Sequence, residues 1–454
     1  MNALPFHLVT LTHPDWEAAL ACAKRLPADA LPELRLDLFP DADPEALVDA
    51  LKRRCLVTCR RMSEGGQWPD ADESERLARL AKAVRGRPAW MDLEWDLPVP
   101  AEIQAARTHV RLLRSVHVAP GVFDLEARVK ALPDGEAFKW VGHAGRLGDN
   151  GRLRAPLAWA RDHGVALSAF LMGPKGIAGR AMQAAWGGAF TYAAPDDGPP
   201  AAPGQLPLET LRAWRCARLH PGYGLCGVIG EPVLHSRGPA FHNPRFQRAY
   251  KDLLYVPLLC GDAEEAAEAL EALGILGLSI TAPLKRSLPA ALGLAGPLNT
   301  LWRRAPGDPW EGANTDAEAF GQSLSRLAPG PVLLLGSGGV AETTRAVLEA
   351  AGRPALQASR RDPVLPAAVA AFAPAGVVQA TALGMAEEDP APFPDLLDAA
   401  RSTARWAVEW IYKEDTAFAA WARDAGLALV SGGSLFEAQA EGQSRRFVEG
   451  CGGE

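Results

Sequence analysis

Eight short runs of β-type character recur along the first two hundred residues, with a helix-compatible stretch between most neighbours. They are HLVTLT (7–12), ELRLDLF (33–39), CLVTCR (55–60), AWMDLEW (89–95), HVRLLRSVH (109–117), AFKWVGHA (137–144), ALSAFLMG (166–173) and AFTYAA (189–194). DWEAALACAKRL and DESERLARLAKAVRG show the intervening helical pattern. Eight β-α repeats in this length fit a closed (β/α)8 barrel better than an open sheet. LPLETLRAWRCARL (206–219) reads as the eighth helix. PDDGPPAAPGQ (195–205) has the composition of a linker. The eighth helix must follow the eighth strand, however, so the domain boundary is expected near HPGYG (220–224).

A second alternation begins at Leu225. LCGVIG, LLYVPLL, GILGLSIT and TLWRR read as a small α/β unit. PVLLLGSGGVAETTRAVLEAAG (331–352) reads as a strand, a glycine turn and a helix, and ALQASRR, GVVQATALGM and RWAVEWIY supply further strands. SLFEAQAEGQSRRFVEG closes the chain as a helix. The whole is α/β, and its 454 residues suffice for two or three domains with their own cores.

Bulk properties exclude several classes. A net charge of −7 argues against a nucleic-acid surface. Seven scattered Cys form no zinc spacing, so no metal is expected. An odd Cys count without a secretory leader suggests reduced thiols and a cytoplasmic location. No apolar run reaches the length of about 18 residues that would suggest a membrane span.

The chain has nine Lys against thirty-eight Arg. Lys139 and Lys285 nevertheless stand at the edges of apolar strand-like runs. An amine can lose its proton and attack a carbonyl, which guanidinium does very poorly. Polar residues expected at the barrel's C-terminal strand ends include Glu33, Arg35, Asp37, Arg60, Asp92, Glu94, His117 and Lys139, with Glu64 and Arg180 in the following loops. That set suits Schiff-base chemistry on an acidic small molecule: the amine forms an iminium, imidazole moves a proton, and Arg holds a carboxylate. Arg35 and Asp37 could equally form a structural ion pair, and Arg60 and Glu64 could pair across a turn. GPKGIAG before Arg180 leaves a phosphorylated substrate open.

Over residues 7–219 the ordered motifs ELRLD, TCRRMSEGG, MDLE, SVH, FK, MGPKGIAGR, TYA and APGQ resemble type I 3-dehydroquinate dehydratase. The resemblance implies that Lys139 forms the Schiff base with 3-dehydroquinate. It makes His117 the base and Glu64 the residue that orients it. Glu33, Arg35, Arg60, Arg180 and Gln205 would then bind substrate. Two family serines are replaced, by Gly179 and Ala201, which implies lost hydrogen bonds.

In the second half, GSGG after an apolar strand can bring helix amides to a pyrophosphate. Ser359, Arg360 and Arg361 end the next strand, where two arginines suit a 2′-phosphate and hence NADP(H). Lys285, Asn299 and Asp316 could converge on one carbonyl, although Asn299 could serve a turn and Asp316 could be a helix N-cap.

VIGEPVLHSRGPAFHN, SITAPLK, LNT, NTD, GSGG, ATALGM and GSLFEAQA resemble shikimate dehydrogenase over residues 224–454. The implied catalytic pair is Lys285 and Asp316. Implied substrate contacts are Ser236, Thr281, Asn299, Tyr412 and Gln439. Implied NADP(H) contacts are Gly336, Ser337, Gly338, Gly339, Ser359, Arg360, Arg361, Thr381 and Gly433. Gly238 replaces a family serine and is expected to open space that would tolerate quinate.

The expected organisation is a (β/α)8 barrel over 1–219 and a two-lobed unit over 220–454. The latter comprises a substrate lobe (224–325 with 433–454) and a Rossmann lobe (326–432). Together the resemblances imply consecutive reactions, from 3-dehydroquinate to 3-dehydroshikimate to shikimate, in a monomer or homodimer. A quinate/NAD-specific fusion and a catalytically weakened regulatory homologue are the alternatives.

Overall fold

The computed structural model describes residues 5–133, 135–386, 388–413 and 415–452. The outermost ends of the expected domains, residues 1 and 454, lie outside them. Packing divides the chain into two compact units. One is Met1–Gly227 with Pro232–Pro239 and Asp252–Ile275; the other is Val228–Glu231 with Ala240–Lys251 and Leu276–Glu454.

In the first unit all eight expected runs contain strands. These are β1 (His7–Thr10), β2 (Ala30–Arg35), β3 (Leu56–Thr58), β4 (Trp90–Glu94), β5 (Arg111–His117), β6 (Ala137–His143), β7 (Leu167–Met172) and β8 (Thr191–Ala193). Their order is β7-β6-β5-β4-β3-β2-β1-β8, and the paired strands run parallel. The seam between the ends of this order is bridged by Ala189 N donating to Leu167 O at 2.8 Å. This is the (β/α)8 barrel read from the sequence.

Strand periodicity explains where its chemistry sits. Side chains two residues apart share one face of a strand. Leu8, Leu31, Trp90, Leu113 and Ala137 belong to one buried apolar cluster. Two residues further along the same strands come Thr10, Glu33, Asp92, Ser115 and Lys139, all buried and polar. The strands therefore pass from an apolar layer to a polar one toward their C-terminal ends. A separate apolar layer, including Leu34, Val57, Met91 and Leu112 with Leu47 and Leu80 from the helices, packs the strands' other face.

Three expectations shift locally. ELRLDLF stops being strand at Arg35 and continues as a 3-10 turn over Leu36–Leu38. The eighth helix divides into Leu208–Ala213 and a 3-10 turn at Cys216–Arg218. The Pro/Gly-rich 195–205 segment is the loop after β8, where Asp197 accepts from His13 (3.2 Å) and pairs with Arg25. Cys22 joins them in the one His/Cys/Asp group among the described residues close enough to share an ion. Arg25 already meets the Asp197 charge there.

Beyond the barrel, β9 (Gly224–Gly230), β10 (Leu253–Leu259), β11 (Ile275–Ile280), β12 (Thr300–Trp302) and β13 (Glu311–Ala313) form a sheet in the order β10-β9-β11-β12-β13. Its β11-β12-β13 portion is antiparallel. A third sheet contains β14 (Val332–Leu335), β15 (Ala355–Ala358), β16 (Gly376–Gln379), β17 (Trp406–Glu409) and β18 (Ala428–Val430). Its order is β15-β14-β16-β17-β18, all parallel, as in a doubly wound dinucleotide fold. The final helix, Gly432–Gly450, returns to the preceding sheet: Gln443 Oε1 accepts from Ser279 Oγ at 2.8 Å, and its Nε2 donates to Asn299 O at 3.2 Å.

Candidate active sites

A cleft of about 660 Å³ opens over the polar layer of the barrel, lined by Glu33, Arg35, Arg60, Glu64, His117, Lys139, Arg180, Tyr192 and Gln205 among others. The structure thus gathers every barrel residue expected to act. Lys139 Nζ donates to Asp92 Oδ2 at 3.0 Å and lies 3.7 Å from Glu33 Oε1 and 4.5 Å from the centre of the Tyr192 ring. Burial, then the Arg60 charge, pulls the Lys139 amine below the ordinary lysine value, while Asp92 and Glu33 oppose that shift. An amine so placed sheds its proton more readily than an exposed one.

Arg60 organises the site. Its Nη2 donates to Asp92 Oδ2 at 2.7 Å, its Nη1 meets His117 Nδ1 at 2.8 Å, and Glu64 lies 3.6 Å away. Guanidinium only donates, so Nδ1 is the accepting nitrogen and the neutral ring carries its proton on Nε2. Burial, reinforced by Arg60 and Lys139, holds His117 well below the usual histidine range and keeps it neutral. Glu64 was expected to orient His117. The two stand 3.9 Å apart, beyond hydrogen-bond distance, and the hydrogen bond to His117 Nδ1 comes from Arg60.

Arg35 and Arg180 contrast sharply. Arg35 donates to Asp37 from Nε at 2.8 Å and from Nη2 at 2.5 Å. Asp37 also accepts from the backbone N–H of Arg60 and Gln67, both at 3.0 Å. That is the structural ion pair considered from sequence, although Arg35 still lines the cleft. Arg180 is 2% exposed, and its Nε and Nη2 have no hydrogen-bond partner. Its guanidinium lies 4.2 Å from the centre of the Phe170 ring, and burial lowers its pKa to about 9. A buried cation without a counter-charge is costly. An anion from solution fits that deficit.

In the sequence Asp92 is one polar strand-end residue among several, with no role of its own. Its position becomes informative only with the register: β4 and β6 flank β5, with Asp92 opposite Leu113 and Lys139 opposite Ser115. Gln205 Oε1 accepts from Ala201 N at 2.7 Å, which holds the loop after β8 at the cleft.

The glycine replacements are not vacancies. A Cβ on Gly179 would meet Asn150 Oδ1 at 2.6 Å, and Gly179 N donates to that same oxygen at 3.2 Å. A Cβ on Gly238 would meet Tyr255 Cε1 at 2.7 Å. The expected space beside Gly238 is filled by Tyr255, which removes the argument for quinate. Ser236 Oγ accepts from Gly238 N at 3.1 Å in the same turn.

In the second unit, Lys285 Nζ donates to Asp316 Oδ2 at 2.6 Å. Asp316 lies in the first turn of helix Thr315–Leu324, but the N-cap is Asn314, whose side chain accepts from Ala317 N at 3.1 Å. Asp316 is thereby left for Lys285. Asn299 Oδ1 accepts from Thr315 N (2.8 Å) and Thr300 Oγ1 (2.8 Å), and Thr315 Oγ1 donates to Gln439 Oε1 at 3.3 Å. Lys285, Asp316, Asn299 and Gln439 are therefore linked through one helix start. Thr281 lies on the turn before Lys285, and Tyr412 stands against Phe436 at 5.4 Å.

A separate cleft of about 770 Å³ is lined by Gly336, Ser337, Gly338, Ser359, Arg360, Arg361 and Thr381 among others. Gly336 has φ +123°, and a Cβ there would meet Ala380 O at 2.5 Å, so the turn requires glycine. Helix Gly339–Ala350 begins at Gly338 with no side-chain cap, leaving its first amides for an anion. Ser359 Oγ accepts from Arg361 N and Asp362 N and shapes the arginine turn. Gly433, expected to bind cofactor, lies in the first turn of the final helix and is not among the residues lining this cleft.

Residues 7–215 match the family model described as type I 3-dehydroquinase. Residues 228–295 match the shikimate dehydrogenase substrate-binding domain. The chain unites these two families. Among solved structures it is similar to the dehydroquinate dehydratase and shikimate dehydrogenase of AroM from S. pombe, at 19% identity over 98% of this chain and 96% of that one, with a TM-score of 0.40. It is also similar to the Thermus thermophilus shikimate 5-dehydrogenase solved with NADP(H) and shikimate: 24% identity, 50% and 93% coverage, TM-score 0.42. The Corynebacterium glutamicum quinate dehydrogenase in complex with NAD is similar at 23% identity over 49% of this chain and 93% of that one, with a TM-score of 0.41. The fusion is a bifunctional enzyme of the shikimate pathway, lyase and oxidoreductase in one chain. Among the described residues no helix is long and apolar enough to cross a membrane.

Proposed function

We propose that the barrel, taken as residues 1–219, dehydrates 3-dehydroquinate through Lys139, and that residues 220–454 reduce the product through Lys285 and Asp316. Neutral Lys139 attacks the C3 ketone and expels its oxygen as water, forming an iminium. The iminium acidifies C2–H, and His117 takes that proton at Nδ1, the ring nitrogen held without one. Protonation there displaces the Arg60 N–H. The enamine then expels the C1 hydroxyl, which leaves as water with the proton from His117. Water releases 3-dehydroshikimate from Lys139. Arg180 binds the substrate carboxylate, with Arg60, Glu33 and Gln205 at its hydroxyls; Asp92 steadies the cationic forms of Lys139.

In the second unit, Lys285 gives a proton to the carbonyl oxygen and regains one from solvent, while the Asp316 carboxylate holds its ammonium form in place. Thr281, Asn299 and Gln439 hold the substrate; Ser236 and Tyr412 rest on resemblance alone. Gly336, Ser337, Gly338 and Gly339 would hold a pyrophosphate, and Thr381 lies beside them. Ser359, Arg360 and Arg361 suit a 2′-phosphate, which favours NADPH over NADH. NADPH supplies a hydride when bound.

The observation that carries the dehydratase reading is a buried Lys139 in one cleft with the unpaired Arg180 cation. Borohydride trapping with 3-dehydroquinate tests it. A reduced adduct on the Lys139 peptide, absent in Lys139→Arg, is expected; no adduct in the unmodified chain contradicts the mechanism.

A further inference from the structure

Among the described residues no carboxylate pairs with Arg180, so apart from the Phe170 ring against its guanidinium it is aimed by its backbone. It lies in the short helix Ile177–Ala181, held from two sides. Gln183 Nε2 donates to Gly179 O at 2.9 Å. Asn150 Oδ1 accepts from Gly179 N, while Asn150 Nδ2 donates to Lys175 O at 2.8 Å and to Leu147 O at 2.9 Å. Asn150 is fully buried and thus ties the 147–150 turn to both ends of the 175–179 segment.

The outer anchor of this lattice comes from a helix beyond the barrel sequence. Glu265 lies in helix Ala263–Leu273, part of the same compact unit, and its own N–H donates to Asp262 Oδ1 at 2.8 Å. Glu265 Oε1 accepts from Leu147 N at 2.7 Å and Lys175 Nζ at 2.8 Å; Oε2 accepts from the same Nζ at 3.0 Å. The approach is close along the helix: a Cβ on Gly151 would meet Ala272 O at 2.5 Å. Glu265 thereby fixes one backbone and one side-chain group of the two segments that Asn150 joins.

We propose that Glu265, from the part of the chain that matches shikimate dehydrogenase, is a positioning residue for the dehydration site. It acts on Arg180 through Lys175, Leu147 and Asn150. The proposal rests on reading Arg180 as the partner of the substrate carboxylate. It makes the barrel's affinity for its substrate depend on a helix of the neighbouring reaction's domain.

The test uses the full chain with 3-dehydroquinate and, separately, 3-dehydroshikimate with NADPH. Glu265→Ala should raise the dehydration KM by about 3–10-fold, and Glu265→Gln by less, with kcat within about twofold. Reduction of 3-dehydroshikimate should be unchanged in both. In an Arg180→Lys background, Glu265→Gln should add less than about twofold, because the group it aims is already altered. An unchanged KM in both Glu265 variants overturns the proposal. So do independent, multiplying effects of the two substitutions, or parallel loss of both activities in both variants, which would make Glu265 a residue of the fold alone. Failure of Arg180→Lys by itself to raise KM sinks the carboxylate assignment instead.

Discussion

Both halves of the chain set a lysine against an aspartate, yet the two arrangements suit different work. Lys139 is 3% exposed and shares Asp92 with Arg60, so one carboxylate serves two cations while Arg180 adds a third nearby. Burial, with the Arg60 charge beside it, favours the neutral amine, the form that can attack a carbonyl. Lys285 meets Asp316 one to one at 2.6 Å, with its side chain 21% exposed. There one carboxylate serves one lysine. A lysine's partners, and not merely the presence of an acid, separate covalent from proton-transfer chemistry.

The largest expected effects test that separation. Lys139→Arg keeps the charge and removes the nucleophile; dehydration should fall at least about 10⁴-fold with reduction intact. Appreciable dehydration by that variant would break the contrast. Lys285→Met should lower reduction by about 10²–10⁴-fold and leave dehydration alone, measured as kcat on 3-dehydroshikimate. Arg180→Ala removes a charged contact worth about 1.5–3 kcal/mol, so the dehydration kcat/KM should drop by about 10–150-fold.

A smaller effect concerns pH. Because the His117 pKa is depressed, the neutral base persists below the ordinary value of 6.5. The pH profile of dehydration kcat/KM should therefore show no loss attributable to His117 as pH falls through 6.5; a histidine-dependent limb centred there would contradict the environment described. Smallest of all, Gly179→Ser and Gly238→Ser should each destabilise the fold by about 1–3 kcal/mol through overpacking, read by denaturant titration. Stabilisation by either would mean that the glycine leaves a real vacancy.

The strands were legible because buried parallel strands read as compact apolar runs, and the lysines because amines stood out among arginines. ELRLDLF was read too long since its end is set by Asp37, whose carboxylate captures N–H groups from Arg60 and Gln67 far along the chain. β13 and β18 are short and none of their residues is buried, so neither contributes a buried apolar run. In the site, residue type found Lys139 and His117, but Asp92 needed the register across β5. Beside His117, Arg60 at 2.8 Å stands nearer than Glu64 at 3.9 Å, an order of distances that the sequence does not carry. Gly179 and Gly238 looked like missing hydroxyls; Asn150 and Tyr255, remote in sequence, occupy the space. Nothing local marks Glu265 among neighbouring acids.

The central claim is that two lysines run two consecutive reactions in one chain. A coupled assay tests it most directly: 3-dehydroquinate and NADPH, followed by loss of NADPH absorbance. The unmodified chain should oxidise NADPH. Lys139→Ala should do so only when supplied with 3-dehydroshikimate, and Lys285→Ala should accumulate that enone without oxidising NADPH. NADPH oxidation by Lys139→Ala on 3-dehydroquinate alone, or loss of both half-reactions from either substitution, would contradict the account.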